Sequence, residues 1–339
     1  MAATLRPIAG GIDELIDLLR PWCEHGGEPL VVRTSGSSGQ PKDVVLSHAA
    51  VLASATATHD RLGGPGQWLL ALPATGVAGL QVLVRSILAR EEPTLAADHP
   101  SLREALGAMT GSRQYASLVP TQLHRMAVAG ELSILAGLDA LLIGGASVSP
   151  PLLAQAHGAG INVVRTYGMS ETCGGCVYDG VPLDRVRIRI DEDRQIHLAG
   201  PMLFDGYGDS RDSAPVDGWF ATSDLGEFDA DGRLRVLGRN DDVVISGGIN
   251  VSLPAVTDAL RGIPGIRDAY AIAVDDAEWG QRVVGCLVGD VAPEAVRAAI
   301  EAAALPRTWV PRQLLMVDAL PLLDGGKVDR LALRVLAEA

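Results

Sequence analysis

The sequence predicts a two-domain α/β protein, with a large N-terminal α/β body built on a largely parallel sheet plus an antiparallel part, followed by a small mobile α+β domain. Three observations predict it. The chain has 339 residues, 47 % of them apolar, which is more than one domain usually holds. Between residues 30 and 170 short apolar runs alternate with helical patterns, as in strands joined by crossover helices. Beyond Thr172 the pattern changes to apolar and charged residues in alternation, which suits antiparallel, half-exposed strands.

The first element is an amphipathic helix, with Ile12, Leu15, Ile16 and Leu19 at helical spacing. Strand-like runs follow at Leu30 to Val32, Trp68 to Leu72, Tyr115 to Val119, Leu138 to Ile143 and Ile161 to Val164, all expected in the parallel sheet. Helices are expected from near Ser47, Gly79, Ser101, Thr121 and Pro150. Ser101-Leu102-Arg103-Glu104 has the capping-box pattern that satisfies free N–H groups at a helix start. Further on, Val186 to Ile190 and Gln195 to Leu198 read as short strands, and Glu227 to Leu237 brackets a turn at Asp231-Gly232. The polar cluster Arg239-Asn240-Asp241-Asp242, of the kind found between domains, divides residues 1–238 from 243–339. The second domain should hold strands at Ala269 to Val274 and Arg282 to Val288, helices at Pro293 to Ala303 and Val328 to Leu336, and a Gly-rich loop before Lys327.

A net charge of −13 argues against a nucleic-acid partner, because phosphate backbones select basic surfaces. Any anionic ligand must be held by local groups. No apolar run reaches the roughly 18 residues of a membrane span, and the first residues lack the pattern of a signal peptide. A cytoplasmic protein is expected, and a homo-oligomer is left open. The four cysteines are too few for a disulfide framework. Cys173-Gly174-Gly175-Cys176 has metal or redox spacing but no second ligand pair, so the expectation is that it lines a pocket wall.

The most informative stretch is Thr34-Ser35-Gly36-Ser37-Ser38-Gly39-Gln40-Pro41-Lys42, a hydroxyl- and glycine-rich loop between an apolar run and a helix. Such a loop turns N–H groups and hydroxyls toward one point, and Lys42 adds a positive charge, so it suits the phosphates of a nucleotide. It differs from the common phosphate loop, since Pro41 precedes the lysine and no Ser or Thr follows it. Alone, it could also be a flexible linker, the less favoured reading.

Four further segments carry chemistry: Thr166-Tyr167-Gly168-Met169-Ser170-Glu171-Thr172, Gly218 to Gly226 around Asp224, Gly238-Arg239-Asn240-Asp241-Asp242, and Leu320 to Arg330 around Lys327. Glu171 should lie at the carboxyl edge of the sheet, where open α/β folds bind ligands, or simply in the first turn of a helix. Asp224 is a short carboxylate able to accept two hydroxyls, or a turn residue. Arg239 could reach a nucleotide or be a solvated linker charge. Lys327 could be a mobile ammonium brought to a charged transition state or an exposed lysine in a turn.

Taken together, these segments resemble the adenylate-forming superfamily of acyl- and aryl-CoA ligases, adenylation domains and luciferases, over nearly the whole chain. Only 33 residues precede the loop, fewer than in full-length members. With Arg165 to Leu183 and Ala78 to Ser86, this makes the chain similar to the short o-succinylbenzoate:CoA ligases of menaquinone biosynthesis. The resemblance implies ATP, Mg2+ and coenzyme A, with an aromatic keto-dicarboxylic acid as the small-molecule substrate. It assigns phosphate and nucleotide contacts to Thr34, Ser35, Gly36, Ser37, Ser38, Gly39, Lys42, Tyr167, Gly168 and Ser170, the ribose to Asp224 and Arg239, the metal to Glu171, and catalysis to Lys327. It places a swivel at Asp241 that presents first Lys327 and then the Val244 to Asn250 face, with Gly247-Gly248 letting a thiol arm pass. The acyl pocket is expected around Gly76, Gly79, Arg85, Gly144, Gly145, Met169 and Gly174. By analogy with the loss of other preorganised donors, Lys327→Ala should cost the adenylation step about 10² to 10³ in kcat.

Several residues depart from the pattern of the superfamily. Asp43 stands where Gly is common and puts a negative charge near the phosphates; Ser223 replaces a Gly; Gly76 replaces a His or aromatic; Ala255 and Thr257 replace acidic residues. The free carboxylate of the implied substrate needs a cation, for which Arg85 and Arg165 qualify by charge, although either could be structural. His48 and His124 are read as half-buried surface residues. Two alternatives stay open: adenylation with another acid or a carrier-protein acceptor, and a nucleotide-binding module without catalysis.

Overall fold

The computed structural model describes residues 12–34, 42–208, 214–323 and 328–338. In chain order, the first body contains helix α1 (Ile12–His25), strands β1 (Leu30–Thr34) and β2 (Lys42–Leu46), α2 (His48–Arg61), β3 (Gln67–Leu70), α3 (Val77–Ala89), β4 (Thr94–Leu95), α4 (Leu102–Gly107), β5 (Gln114–Leu118), α5 (Pro120–Ala129), β6 (Ala140–Ile143), α6 (Pro150–Gly158), β7 (Val163–Met169), β8 (Gly174–Tyr178) and β9 (Val181–Pro182). Strands β10 (Arg187–Ile190), β11 (Gln195–Ala199), β12 (Gly206–Tyr207), β13 (Trp219–Phe228) and β14 (Leu234–Arg239) follow. The last part contains β15 (Val243–Ser246), β16 (Ile249–Ser252), α7 (Leu253–Arg261), β17 (Asp268–Asp276), β18 (Gly280–Val288), α8 (Pro293–Ala302), β19 (Gln313–Met316) and α9 (Arg330–Glu338).

By contacts the chain divides into two compact units, residues 1–222 with 228–235, and residues 223–227 with 236–339. The first is organised by a seven-stranded sheet in the order β4-β3-β5-β6-β7-β8-β9. Its strands β4 to β7 are parallel, and β8 returns antiparallel to β7. The core strands are apolar on both faces, as parallel strands covered by helices must be; every residue of β3 and β6 is buried. Because the chain steps from β3 to β4 on one side and to β5 on the other, the order reverses beside β3, and ligands of such folds bind at the carboxyl ends near that reversal.

One expected strand lies elsewhere. β1 is not in the parallel sheet but pairs antiparallel with β2, and β12 adds to the other side of β2. The cause is chain length: only residues 35–41 separate β1 from β2, too few for the crossover of a dozen or more residues that parallel neighbours need. The helix starts follow their capping residues, with Ser47 accepting from Ala50 N (3.3 Å) and Ser101 from Glu104 N (3.2 Å).

The second unit is an α+β fold on a sheet ordered β16-β15-β18-β17, with β19 parallel to β18. Its core joins Val256 and Leu260 of α7 with Ala269, Ala271 and Leu287 of the central hairpin and Val296 and Ile300 of α8. Gly247 and Gly248 form the two-residue turn of the β15–β16 hairpin with φ of +58° and +78°, a left-handed pair that glycine adopts at least cost.

Candidate active site

Thr34 ends β1 and Lys42 begins β2, so the two ends of the hydroxyl-rich loop face each other across one antiparallel pair. Lys42 N donates to Thr34 Oγ1 at 3.3 Å. Ser35, Gly36, Ser37, Ser38 and Gly39 lie outside the described residues, as does Lys327. Asp43, the negative charge next to the lysine, meets Arg33 on the neighbouring strand through two hydrogen bonds of 2.8 and 3.0 Å. That hydrogen bonding holds its carboxyl below the usual carboxylate range. The charge beside the loop is thus largely offset by its own neighbour.

The Lys42 ammonium sits 4.8 Å from the centre of the Tyr207 ring, a cation over an aromatic face. Strand β12 places that ring, because its backbone pairs with Val44 and Val45. The Tyr207 hydroxyl donates to Glu171 Oε1 at 2.6 Å. Lys42 and Glu171, predicted separately from distant segments, are therefore joined through one side chain that the sequence did not single out.

Glu171 lies in a short turn, Ser170–Thr172, directly after β7. Buried Thr172 shapes that turn: its Oγ1 accepts from Met169 N (2.9 Å) and donates to Gly174 O (2.7 Å). Gly168 is fixed by contact, since a Cβ there would stand 2.1 Å from Gly174 O. Tyr167 and Met169 are partly buried against the main core, and Gly144 and Gly145 follow the carboxyl end of β6 beside Thr166. These residues gather at the carboxyl ends of β6 and β7.

Gly76 is the N-cap of α3, Gly79 packs on the carbonyl of Pro73, and Arg85 lies on the buried face of the same helix. The two arginines proposed as cations differ sharply. Arg165 has a half-exposed side chain and is paired with Asp179 at 3.3 Å. Arg85 is 3 % exposed, stands over Trp68 at 4.9 Å, and leaves its Nε without a hydrogen-bond partner. Burial pulls its pKa below the ordinary guanidinium range. His59 lies by the same Trp68, 6.5 Å between ring centres, and burial followed by the charge of Arg85 lowers its pKa to about 4. A buried cation with free hydrogen-bonding capacity suits an anionic ligand group.

In the second unit Asp224 on β13 is buried, and Arg239 Nη1 on β14 stands 3.6 Å from its Oδ1. The backbone of Asp241 lies in the short turn Asn240–Asp242 before β15.

Comparison with known proteins settles the family. A profile of the AMP-binding enzyme family matches residues 30–206, and one of the AMP-binding enzyme C-terminal domain matches residues 255–327. The chain belongs to the AMP-binding enzyme family. It is 46 % identical over 319 residues to a Mycobacterium tuberculosis protein named "Probable 2-succinylbenzoate--CoA ligase", covering 90 % of this chain and 83 % of that one. It is 29 % identical to the 2-succinylbenzoate--CoA ligase of Enterococcus faecalis, over 88 % of this chain and 68 % of the other. Its fold superposes with a TM-score of 0.78 on Bacillus subtilis o-succinylbenzoate CoA synthetase solved with its acyl-adenylate intermediate, at 26 % identity over 90 % of this chain and 68 % of that one. It also matches an Arg-to-Lys variant of Escherichia coli MenE with bound OSB-AMS, at a TM-score of 0.76 and 28 % identity over 91 % and 68 % of the two chains.

The donor set of this AMP-binding enzyme fits a magnesium ion that arrives with its nucleotide. Such an ion is usually held by one or two carboxylates plus substrate phosphates, and Glu171 offers one carboxylate with no cluster of three or more His, Cys, Asp or Glu ligands among the described residues. The cysteine pair takes no part. Cys173 and Cys176 are buried free thiols, burial pushes that of Cys176 up to about 12, and Cys176 lines a small cavity with Ser54 and Met202. No helix among the described residues is long and apolar enough to cross a membrane.

Proposed function

We propose that this enzyme is an ATP-dependent acid:CoA ligase acting on 2-succinylbenzoate. The carboxylate oxygen of the acid attacks the α-phosphorus of ATP, pyrophosphate leaves, and an acyl-adenylate remains. The thiolate of coenzyme A then attacks the acyl carbon and AMP leaves. Splitting the reaction gives an unreactive carboxylate a good leaving group.

The observation that carries this reading is the meeting of Lys42 and Glu171 on Tyr207 at the edge of the parallel sheet. It supports a site for a metal-bound polyphosphate, in which Thr34, Ser35, Ser37 and Lys42 hold the β- and γ-phosphates with the backbone of Gly36, Ser38 and Gly39. Glu171 holds the magnesium ion, which when bound neutralises charge on the departing pyrophosphate. Tyr167, Gly168 and Ser170 border the nucleotide, and Asp224 and Arg239 take the ribose. Lys327 brings positive charge to the reacting centre, and a swivel at Asp241 separates the two half-reactions.

The acyl group lies among Gly76, Gly79, Gly144, Gly145, Met169 and Gly174. Arg85, rather than Arg165, meets the carboxylate that is not activated. The identity to ligases of the same acid supports this substrate. The enzyme works in the cytoplasm on free small molecules, without nucleic acid, and a homo-oligomer is compatible with this scheme.

Exchange of labelled pyrophosphate into ATP across a panel of aromatic and aliphatic acids tests the reading. It should require an added acid and favour 2-succinylbenzoate. Equal exchange with all acids would remove the substrate assignment, and none with any acid would remove the adenylation.

A further inference from the structure

The scheme above leaves unused a half-buried ion pair in the second unit. Asp242, 5 % exposed, closes the turn that contains Asp241. The guanidinium of Arg330, the first residue of α9, grips it with both Nη atoms, Nη2 to Oδ2 at 3.3 Å and Nη1 to Oδ1 more closely. The third donor of the fork, Nε, gives its hydrogen to the Tyr270 hydroxyl on β17 at 2.8 Å. A bidentate guanidinium–carboxylate pair fixes direction as well as distance. With Asp242 buried and Arg330 half-exposed, the pair is weak evidence for net stability and better understood as a device for geometry.

What it joins gives it meaning. Arg330 stands three positions after Lys327 in the chain. The main chain on either side of residues 324–327 is tied down: Leu322 bridges Val328, and Asp329 N donates to Pro321 O at 2.8 Å. Asp329 then caps α9 by accepting from Leu331 N and Ala332 N at 3.0 Å. The neck of the lysine segment, the start of α9 and the turn at Asp241 therefore form one connected unit.

Building on the ligase reading, we infer that Asp242, Arg330 and Tyr270 are positioning residues for the adenylation half-reaction: they fasten the chain that carries Lys327 to the turn at Asp241. Rotation at that turn then moves the lysine with it instead of being lost in slack between them. The side chains act through Lys327 and touch neither substrate nor nucleotide in this role.

The test compares half-reactions in Arg330→Lys, Asp242→Asn and Tyr270→Phe. Adenylation is read as acid-dependent pyrophosphate exchange, and thioester formation as the reaction of preformed acyl-adenylate with CoA; circular dichroism confirms folding. A misplacement of about 1 Å can cost about a hundredfold. Arg330→Lys and Asp242→Asn should lower kcat for exchange by about tenfold to a hundredfold, with KM for ATP and the thioester step each within about threefold. Tyr270→Phe keeps the ion pair, should fold in any case, and should lose about threefold in exchange alone. In a Lys327→Ala background Asp242→Asn should cost nothing more, because residues acting through one group are not additive.

Equal losses in both half-reactions, unchanged exchange in folded variants, or a further full loss on top of Lys327→Ala would overturn the inference while leaving the ligase reading intact. Absence of exchange in the parent enzyme would overturn both.

Discussion

The Tyr207 hydroxyl lies 2.6 Å from Glu171 Oε1, and through it a carboxylate after β7 is joined to a lysine that begins β2. The ring does two separable things: its face receives the Lys42 ammonium and its hydroxyl orients Glu171. Tyr207→Phe keeps the first and removes the second. A hydrogen bond to a charged group is worth about 1.5–3 kcal/mol, and partial exposure of this one puts the effect at the low end. Steady-state exchange at varied Mg-ATP should show KM for ATP raised about tenfold, while Tyr207→Leu, which also removes the cation's support, should be worse.

The burial of Arg85 and the exposure of Arg165 predict opposite outcomes for the same substitution. Leaving one member of a buried, charged hydrogen-bonding pair without its partner costs about 2–5 kcal/mol. Arg85→Gln should therefore raise KM for 2-succinylbenzoate by at least about tenfold, with a smaller effect on an aryl acid that has only one carboxylate. Arg165, already paired with Asp179 at the surface, should tolerate Gln within about twofold, since exposed pairs contribute little. AMP release with the two acids measures both.

Gly168 and Gly76 were both expected in or near the site, but only one is locked by its surroundings. An alanine Cβ at position 168 would lie 2.1 Å from Gly174 O, whereas at position 76 the nearest atom is Pro73 O at 3.6 Å. Thermal unfolding should show Gly168→Ala destabilised by about 3 kcal/mol or more, as backbone must move. Gly76→Ala should cost about 1 kcal/mol or less, the usual N-cap difference.

His59 predicts an acid-side loss of stability. The unfolded chain takes up a proton on histidine near pH 6.5, but burial beside Arg85 delays this to about 4 in the folded state. Its contribution is thus fully present above about pH 6.5 and is lost as the pH falls toward 4, at about 1.4 kcal/mol per unit and about 3 kcal/mol in all. Urea unfolding at pH 7 and pH 4.5 should show a larger loss in the parent than in His59→Gln. Equal losses would mean that His59 is not held neutral.

The parallel core was legible because its strands and helices have distinct periods over residues 67–169, and capping residues such as Ser47 and Ser101 mark where the helices start. The loop and Glu171 stood out in the sequence because unusual residue types are concentrated in short segments. The sheet that holds β1 was misplaced, since apolar content alone cannot tell a strand's partner and only the short span to Lys42 decides it. Tyr207 was invisible for another reason: its strand is two residues long and its role depends on contacts with positions 42 and 171. The grip of Arg330 on Asp242 spans 88 positions and has no local signature. Side chains that differ only in burial, Arg85 and Arg165, looked equivalent until the fold placed them.

Product analysis after incubation with 2-succinylbenzoate, ATP, magnesium and free coenzyme A tests the central claim most directly. The account predicts AMP and the 2-succinylbenzoyl-CoA thioester in equal amounts, with one pyrophosphate released per thioester. Acyl-adenylate that accumulates without any thioester, or the absence of AMP with this acid while another acid supports it, would contradict the account.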